Sequence, residues 1–531
     1  MTTLSSTPRS AAETPAAQTT PTRRNRRAKE YPPTPNATVP YAKGRPELSQ
    51  MDDGELMLAI VATPEWEEIV RPVCEELDRT RPTRGPKGLY TSEELETALV
   101  YQLFSGLRCY REARDRLAGD RGRAVREALG FDRPRSLSGR RVVALKSGVP
   151  SEPTISRHLS HFDPELRCAM YRRLFERLVR SHFEFPEFQE DVRVLYMDGT
   201  EIVTHFTAPV YRRQTKEEKR RAGTEVSKTL SEICTIDWSR VVNPESQKIT
   251  CRDGGYVPYN PTTGKGGHGF NLVSIPTANG LPLEFAVVPI NASEKRVGEA
   301  ILRERFAENV LPLLDRAKLH VLTADGAFTS PTLRAQLRSL GILENLHMVS
   351  HGIDSQGRAE TFRREVIPIE GYPNWHANGL REISCACGHR ATSRVGVTDR
   401  GQAYARAEGR CTTCGSITIT SGQWRLAQNP KKFRLAHPSD PIKDRDWTFG
   451  NPLTYDSPLA AEFGRARFGQ NEGFHGALER RFRLIKGKRW YRSRVEAETD
   501  TAVIFCVMHA LAMEQRRRAT ATAAIDDQLA A

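Results

Sequence analysis

The amino-acid sequence predicts a mixed α/β protein in which a mixed sheet is flanked by helices, and three observations carry that expectation. Apolar, β-branched runs end in aspartate followed by glycine at two distant places, Val192 to Gly199 and His320 to Gly326. Between them, Phe270 to Ile275 and Leu281 to Val288 read as two strands joined at Asn279-Gly280, a dipeptide suited to the positive φ of a tight hairpin. Helical patterns precede and follow these runs, and that order of elements gives a sheet covered by helices.

Asp198 and Asp325 end the two Asp-Gly runs. If the strands are neighbours, both carboxylates leave from one rim, where α/β folds gather their sites. Either alone marks no more than a turn, since Asp-Gly is a common turn dipeptide. A third acidic stretch changes the balance. Phe474, Leu478, Phe482 and Ile485 recur at helical spacing, so one face packs inward while the rest is densely basic. Glu472 and Glu479 sit in this stretch, on nearly the same helical face.

Four passages occur in a telling order: Leu195-Tyr-Met-Asp198-Gly-Thr; Gly269-Phe-Asn-Leu to Gly280-Leu-Pro-Leu; Thr323-Ala-Asp325-Gly-Ala-Phe; and Asn471-Glu472 through Arg480-Arg-Phe-Arg-Leu. Over roughly residues 90 to 515 the chain resembles the DDE transposases of bacterial insertion sequences. The resemblance implies a ribonuclease H-like catalytic core, whose first two acids end strands and whose third is a Glu on a late helix. It implies two Mg²⁺ ions, or Mn²⁺, with Asp198 bridging them and Asp325 and the glutamate each holding one. Carboxylates suit such ions, which prefer oxygen ligands and keep positions open for water and phosphate. The implied reaction is cleavage at the element's terminal inverted repeats and joining of the freed 3′ end to target DNA, by a homodimer on paired ends.

The two glutamates lie roughly 10 Å apart along a helix axis, whereas paired catalytic metals sit only about 4 Å apart. One of them alone belongs to the site. Aligning on the basic Arg480-Arg-Phe-Arg-Leu segment selects Glu472, and aligning on the family's Glu-to-Lys spacing selects Glu479 with Lys486. The basic segment matches better, so Glu472 is the expected ligand and Glu479 the alternate. Two other classes remain: a ribonuclease H-like nuclease that cuts without strand transfer, and a zinc-containing DNA-binding protein with an inactive core.

The chain has 531 residues and a formal net charge of +14. That length supports several domains and a sizeable core, and the charge suggests a polyanionic partner, here DNA, against the plainer reading of a solvated basic surface. No apolar leader or membrane span is visible, because the run Thr501 to Met513 is short and contains His509. A cytoplasmic location without membrane contact is the expectation. The ten cysteines are then reduced thiols or metal ligands.

Taken in order, residues 1–48 are rich in Ser, Thr, Pro and Ala with a basic knot at Arg23 to Lys29, and read as a disordered arm. Residues 49–185 are helical, and Thr91 with Glu94 forms a capping box. A helix opening near Thr154 carries Arg157, His158 and His161, and offers itself to a DNA groove or simply buttresses the core. Residues 190–350 form the first part of the catalytic core: Glu201 to Phe206 a second strand, Gly264-Lys265-Gly-Gly-His268 a phosphate-approaching or solvent loop, Glu294 to Ala317 a long helix, Ser330-Pro331 the start of another, and Asn345 to Val349 a last strand.

Residues 351–450 are an inserted module with a zinc ribbon at about 380–420. Cys385, Cys387, Cys411 and Cys414 come in two close pairs, each followed by glycine, which suits a closed Zn²⁺ site of structural type. His389 is an alternative to one thiolate. The core ends over 451–517, where Arg480, Arg481, Arg483, Lys486, Lys488, Arg489 and Arg492 surround Trp490, a pattern suited to DNA whose bases are unstacked. A helix at about 496–517 closes the fold, and 518–531 is a flexible tail.

Overall fold

The computed structural model describes residues 51–80, 89–107, 109–132, 148–212, 215, 217–218, 228–242, 248–258, 266–328, 330–346, 366–378, 382–400, 403–420, 463, 474–485 and 490–530. The basic arm, Lys265, Glu472, Lys486, Lys488 and Arg489 lie outside the described residues.

Local sequence chemistry starts the N-terminal helices. Asp52 with Glu55, and Thr91 with Glu94, form reciprocal capping boxes ahead of helices Asp53–Val61 and Ser92–Phe104. Each cap satisfies amides that the first turn leaves orphaned, an effect worth about 1 kcal/mol. Helix Pro164–His182 opens on the Asp163 side chain and packs along the last helix, Arg494–Ala530.

Residues 501–513 of that last helix are buried on every side, as befits a helix apolar all round. Phe505 explains how it acts: its ring lies 5.9 Å from Phe175 of the helical region, 4.9 Å from Phe285 of the sheet and 5.9 Å from Phe474. One helix thus ties three parts of the chain into a common core. It also runs on to Ala530, through the segment expected to be a loose tail. Among the described residues no helix is long and apolar enough to cross a membrane.

The main sheet contains β1 (Val194–Val203), β2 (Gly255–Val257), β3 (Gly267–Pro276), β4 (Pro282–Pro289), β5 (Val321–Ala324) and β6 (Leu343–Leu346), in the order β2-β3-β1-β5-β6 with β4 also paired to β3. β1 lies antiparallel to β3 and parallel to β5, so the sheet is mixed and flanked by helices, as the sequence predicts. Gly280 takes φ +74° in the expected hairpin turn.

Three expectations need correction. The Asp198-Gly199 pair does not end its strand, and Glu201 to Val203 is the second half of β1 rather than a separate strand. The reason is asymmetric pairing: the ladder to β3 continues from Asp198↔Ser274 to Val203↔Gly269, while the ladder to β5 stops at Met197↔Ala324. The helix expected to reach Ala317 is α-helical over Glu294–Ile301, widens to π over Leu302–Val310 and tightens to 3-10 over Leu311–Leu313. Pro312 sits in that last turn, where it removes a backbone donor. The final strand begins earlier than expected, at Leu343, and its predicted positions 347–349 lie outside the described residues.

The inserted module forms two three-stranded antiparallel sheets, β7 (Ile367–Ile369), β8 (Tyr372–Ala377) and β9 (Ile383–Cys385), then β10 (Thr392–Val397), β11 (Ala403–Cys411) and β12 (Gly415–Thr420). Ala405 of β11 packs with Val321 and Leu343, the first residues of β5 and β6. The module therefore rests at the end of these strands away from Asp325.

Candidate acidic site and thiolate cluster

Strand register brings the two aspartates together. Asp198 and Asp325 are the positions that follow Met197↔Ala324, the last pair of the β1–β5 ladder, so they flank the cleft where the two strands part. One Asp198 oxygen, Oδ1, accepts from the Gly199 amide at 2.9 Å. Asp325 Oδ1 accepts from Ala327 N at 2.8 Å and so opens the short turn Gly326–Phe328. Asp325 thus does what a turn-forming Asp does while its strand places it beside Asp198.

Sequence reasoning missed two further groups, one beside Asp198 and one against the neighbouring Gly199. Residues 474–480 are helical, and His475 Nδ1 lies 3.8 Å from Asp198 Oδ2. Its position three residues after Glu472 was the available signal, since residues three apart share a helix face. Glu479, half-buried, lies one turn beyond His475, and Glu472 falls outside the described residues. The second group is Glu294, the first residue of the helix after the β3–β4 hairpin, which accepts from Asn271 Nδ2 at 3.1 Å. Burial first, and then the nearby Asp325 charge, push its carboxyl up against the pull of that hydrogen bond. The same two kinds of cause, burial and the Glu294 charge, raise Glu201.

The basic residues divide by location. Arg157 is exposed and donates to Pro153 O at 3.2 Å, and His161 is exposed. His158 is instead buried, with Nε2 2.7 Å from Glu96 Oε1, in a network where Arg167 and Tyr171 also donate to Glu96. Burial raises the Glu96 carboxyl but Arg167 and His158 overcome it, leaving it at about 2. The helix is therefore pinned to the core by its own histidine, and only part of its basic face, Arg157 and His161, is exposed. Arg480 is exposed beside Gly476. Arg481 lays its guanidinium 5.3 Å from the Phe104 ring centroid, and its carbonyl comes so close to Gly106, at φ +63°, that a Cβ there would stand 1.9 Å away. That residue packs the helical region onto the core. Arg483 is exposed at φ +51°, a left-handed conformation that costs about 1 kcal/mol outside glycine. Trp490 is 66% exposed and stacks on His205 at 4.3 Å, and Arg492 covers Phe206 at 5.3 Å.

The cysteines form the tightest constellation. One ligand atom from each of Cys385, Cys387, Cys411 and Cys414 lies within 4.8 Å of all the others, and Cys387 and Cys414 sulfurs are 3.4 Å apart. A tetrahedral zinc with sulfurs at about 2.3 Å spaces them about 3.8 Å apart, so the set can hold a metal such as zinc. Gly388 at φ +82° and Gly415 at φ +81° supply the left-handed turns that fold the chain back around each pair. The Cys414 amide donates to Cys411 Sγ at 3.3 Å, and with the Thr413 amide draws that thiol down to about 6. His389 Nδ1 lies 3.8 Å from Cys385 Sγ but is not part of the closed group. Among the described residues these four cysteines alone bring three or more ligating groups to one point.

Comparison with protein-family models and with curated proteins found no match for this chain.

Proposed function

We propose that this chain is a transposase of the DDE type: a divalent-metal-dependent enzyme with a ribonuclease H-like core that cuts DNA at the ends of a mobile element and joins them to target DNA. The observation that carries this reading is the juxtaposition of Asp198 and Asp325 at the parting of β1 and β5, beside a helix that brings His475 to Asp198, ends at the exposed Arg480 and leads on to the exposed Arg483. Asp198, Asp325 and a glutamate of that helix, Glu472 or Glu479, would hold two Mg²⁺ or Mn²⁺ ions. Such ions supply an activated water or 3′-hydroxyl and stabilise the leaving oxygen. Arg157, Lys265, Arg480, Arg481, Arg483, Lys486, Lys488, Arg489, Trp490 and Arg492 are the proposed DNA contacts. No Ser or Tyr nucleophile is needed. The cysteine set would hold a structural zinc, because four protein thiolates leave no position for substrate.

The test is incubation of the full chain with Mg²⁺ and duplexes carrying the inverted repeats that flank its coding sequence. Cleaved ends together with joined products are expected. Cleavage without joining would make the chain a nuclease, and DNA retained in EDTA without cleavage at any metal concentration would make it a binding protein.

A further inference from the structure

We infer that Trp490, backed by His205 and flanked by Phe206 and Arg492, is a stacking site for one unpaired base of a DNA strand. This deepens the reading of the chain as an enzyme acting on DNA, and rests on it for the identity of the partner. The platform is built from two segments remote in sequence. Thr204 to Phe206 follow the last residue of β1, and Trp490 to Arg492 lead into the last helix. The Trp490 and His205 rings stack with centroids 4.3 Å apart and planes inclined by 22°, and Phe206 meets the indole nearly edge-on at 5.9 Å. His205 thus covers one face. Trp490 nevertheless stays 66% exposed, the highest value for a large apolar side chain among the described residues, so its other face is open.

Neighbouring groups fasten the platform from both sides. The buried Thr204 hydroxyl donates to Tyr491 O at 2.8 Å and accepts from Phe206 N at 3.2 Å, and the Tyr491 hydroxyl donates to Asp500 Oδ2 at 2.8 Å. Single exposed apolar residues are common. One laid flat on a second ring, with its chain neighbours tied down, is pre-organised, and a ring that lands on it loses little further side-chain freedom. Charge then selects the occupant. The exposed Arg492 carries its guanidinium 5.3 Å from the Phe206 centroid, which sets a cation at the border of the same aromatic group. A flat apolar face beside a guanidinium matches a base and its phosphate, since every base has a π-face and arginine suits phosphate. Bases inside a duplex are stacked on both faces already, so an unpaired base is the one that fits. His205 stands seven residues beyond Asp198, just past the end of β1. At about 3.3 Å per residue the separation is roughly 20 Å, or about six nucleotides at 3.4 Å each.

The experiment is fluorescence anisotropy with the full chain in buffer without Mg²⁺ or Mn²⁺, using a labelled oligothymidine strand and a labelled blunt duplex of the same length at one salt concentration. Trp490→Ala is expected to weaken the single strand about tenfold and to leave the duplex within about twofold. His205→Ala, which removes the ring beneath the indole, should weaken the strand in the same direction, and Trp490→Phe should retain part of the binding. Thermal melts verify folding; should Trp490→Ala not fold, the other two variants read the same point. Unchanged strand affinity in the folded variants, or an equal loss for strand and duplex, overturns this inference and leaves the acidic site standing. Loss of strand binding in Trp490→Ala, in a chain whose parent cleaves no DNA, overturns the enzymatic reading and leaves the platform standing.

Discussion

His475 Nδ1 stands 3.8 Å from Asp198 Oδ2, so the late basic helix meets the strand that carries the first acid. Glu479 lies one helical turn beyond this contact. Asp198→Asn and Asp325→Asn are expected to lower end cleavage by more than about 100-fold, the upper range for outer-shell changes at metal sites. Glu472→Gln should match them, and Glu479→Gln should only weaken cleavage; the reverse ranking in the same gel assay would exchange the two.

His475→Ala removes a neighbour of the acid rather than an acid. Its expected effect on cleavage is about 10- to 100-fold, with thermal stability close to that of the parent. A loss as deep as that of Asp198→Asn would place the imidazole among the reacting groups.

Zinc analysis by atomic absorption should give one ion per chain, and Cys411→Ser or Cys414→Ser should abolish it. The cluster holding the ion is small, and metal binding in such modules supplies on the order of 10 kcal/mol. Chelation is therefore expected to unfold β9 to β12. At about 3.3 Å per residue the path along β11 from Cys411 to Ala405 is roughly 20 Å, and Ala405 itself touches the starts of β5 and β6. That contact is at the ends of β5 and β6 away from Asp325, so the Mn²⁺ affinity of the acidic site should outlast zinc removal.

A buried histidine pair sets an acid limit on stability. His182 Nδ1 and His509 Nδ1 are 3.0 Å apart, and His509 Nε2 meets Pro282 O at 2.7 Å. Burial lowers both rings, His509 to about 4 and His182 well below its ordinary value; each is further lowered by nearby positive charge, including the other ring in the case of His182. Since these folded values lie below the unfolded ones, the stabilisation is complete above about pH 6.5 and is lost as pH falls toward 4. For His509 that amounts to about 3 kcal/mol. Melting temperature should fall over this window, and a flat profile would show that the pair is hydrated.

Glu96 holds His158, Arg167 and Tyr171. Glu96→Gln leaves the Arg167 charge buried without its partner, and is expected to destabilise by about 3–5 kcal/mol in urea unfolding. The double variant Glu96→Gln, Arg167→Met should be less destabilised than Glu96→Gln alone.

DNA binding should fall steeply with salt. Arg483→Ala and Arg492→Ala, both at exposed positions, should each reduce the slope of log K against log salt by about 1. Arg481→Ala should also lower stability, because its guanidinium lies over Phe104.

What the sequence determined by itself was local. The Thr91–Glu94 capping box, the Asn279-Gly280 turn and the glycines after each cysteine pair depend on neighbouring residues and backbone sterics, and they stand where the pattern placed them. Tertiary pairing decided the rest. Asp198-Gly199 reads as a strand end, yet β3 carries β1 straight through it while β5 stops. His158 reads as part of a basic face, yet a carboxylate distant in sequence draws it inward. Glu294 and Asn271 carried no local mark, since a lone Glu at a helix start and a lone Asn in a strand say nothing until the sheet register and the helix packed on it bring them together. Short-range patterns encode which element forms; which side chains share a cleft follows from strand order and packing, contacts between residues that the chain keeps far apart.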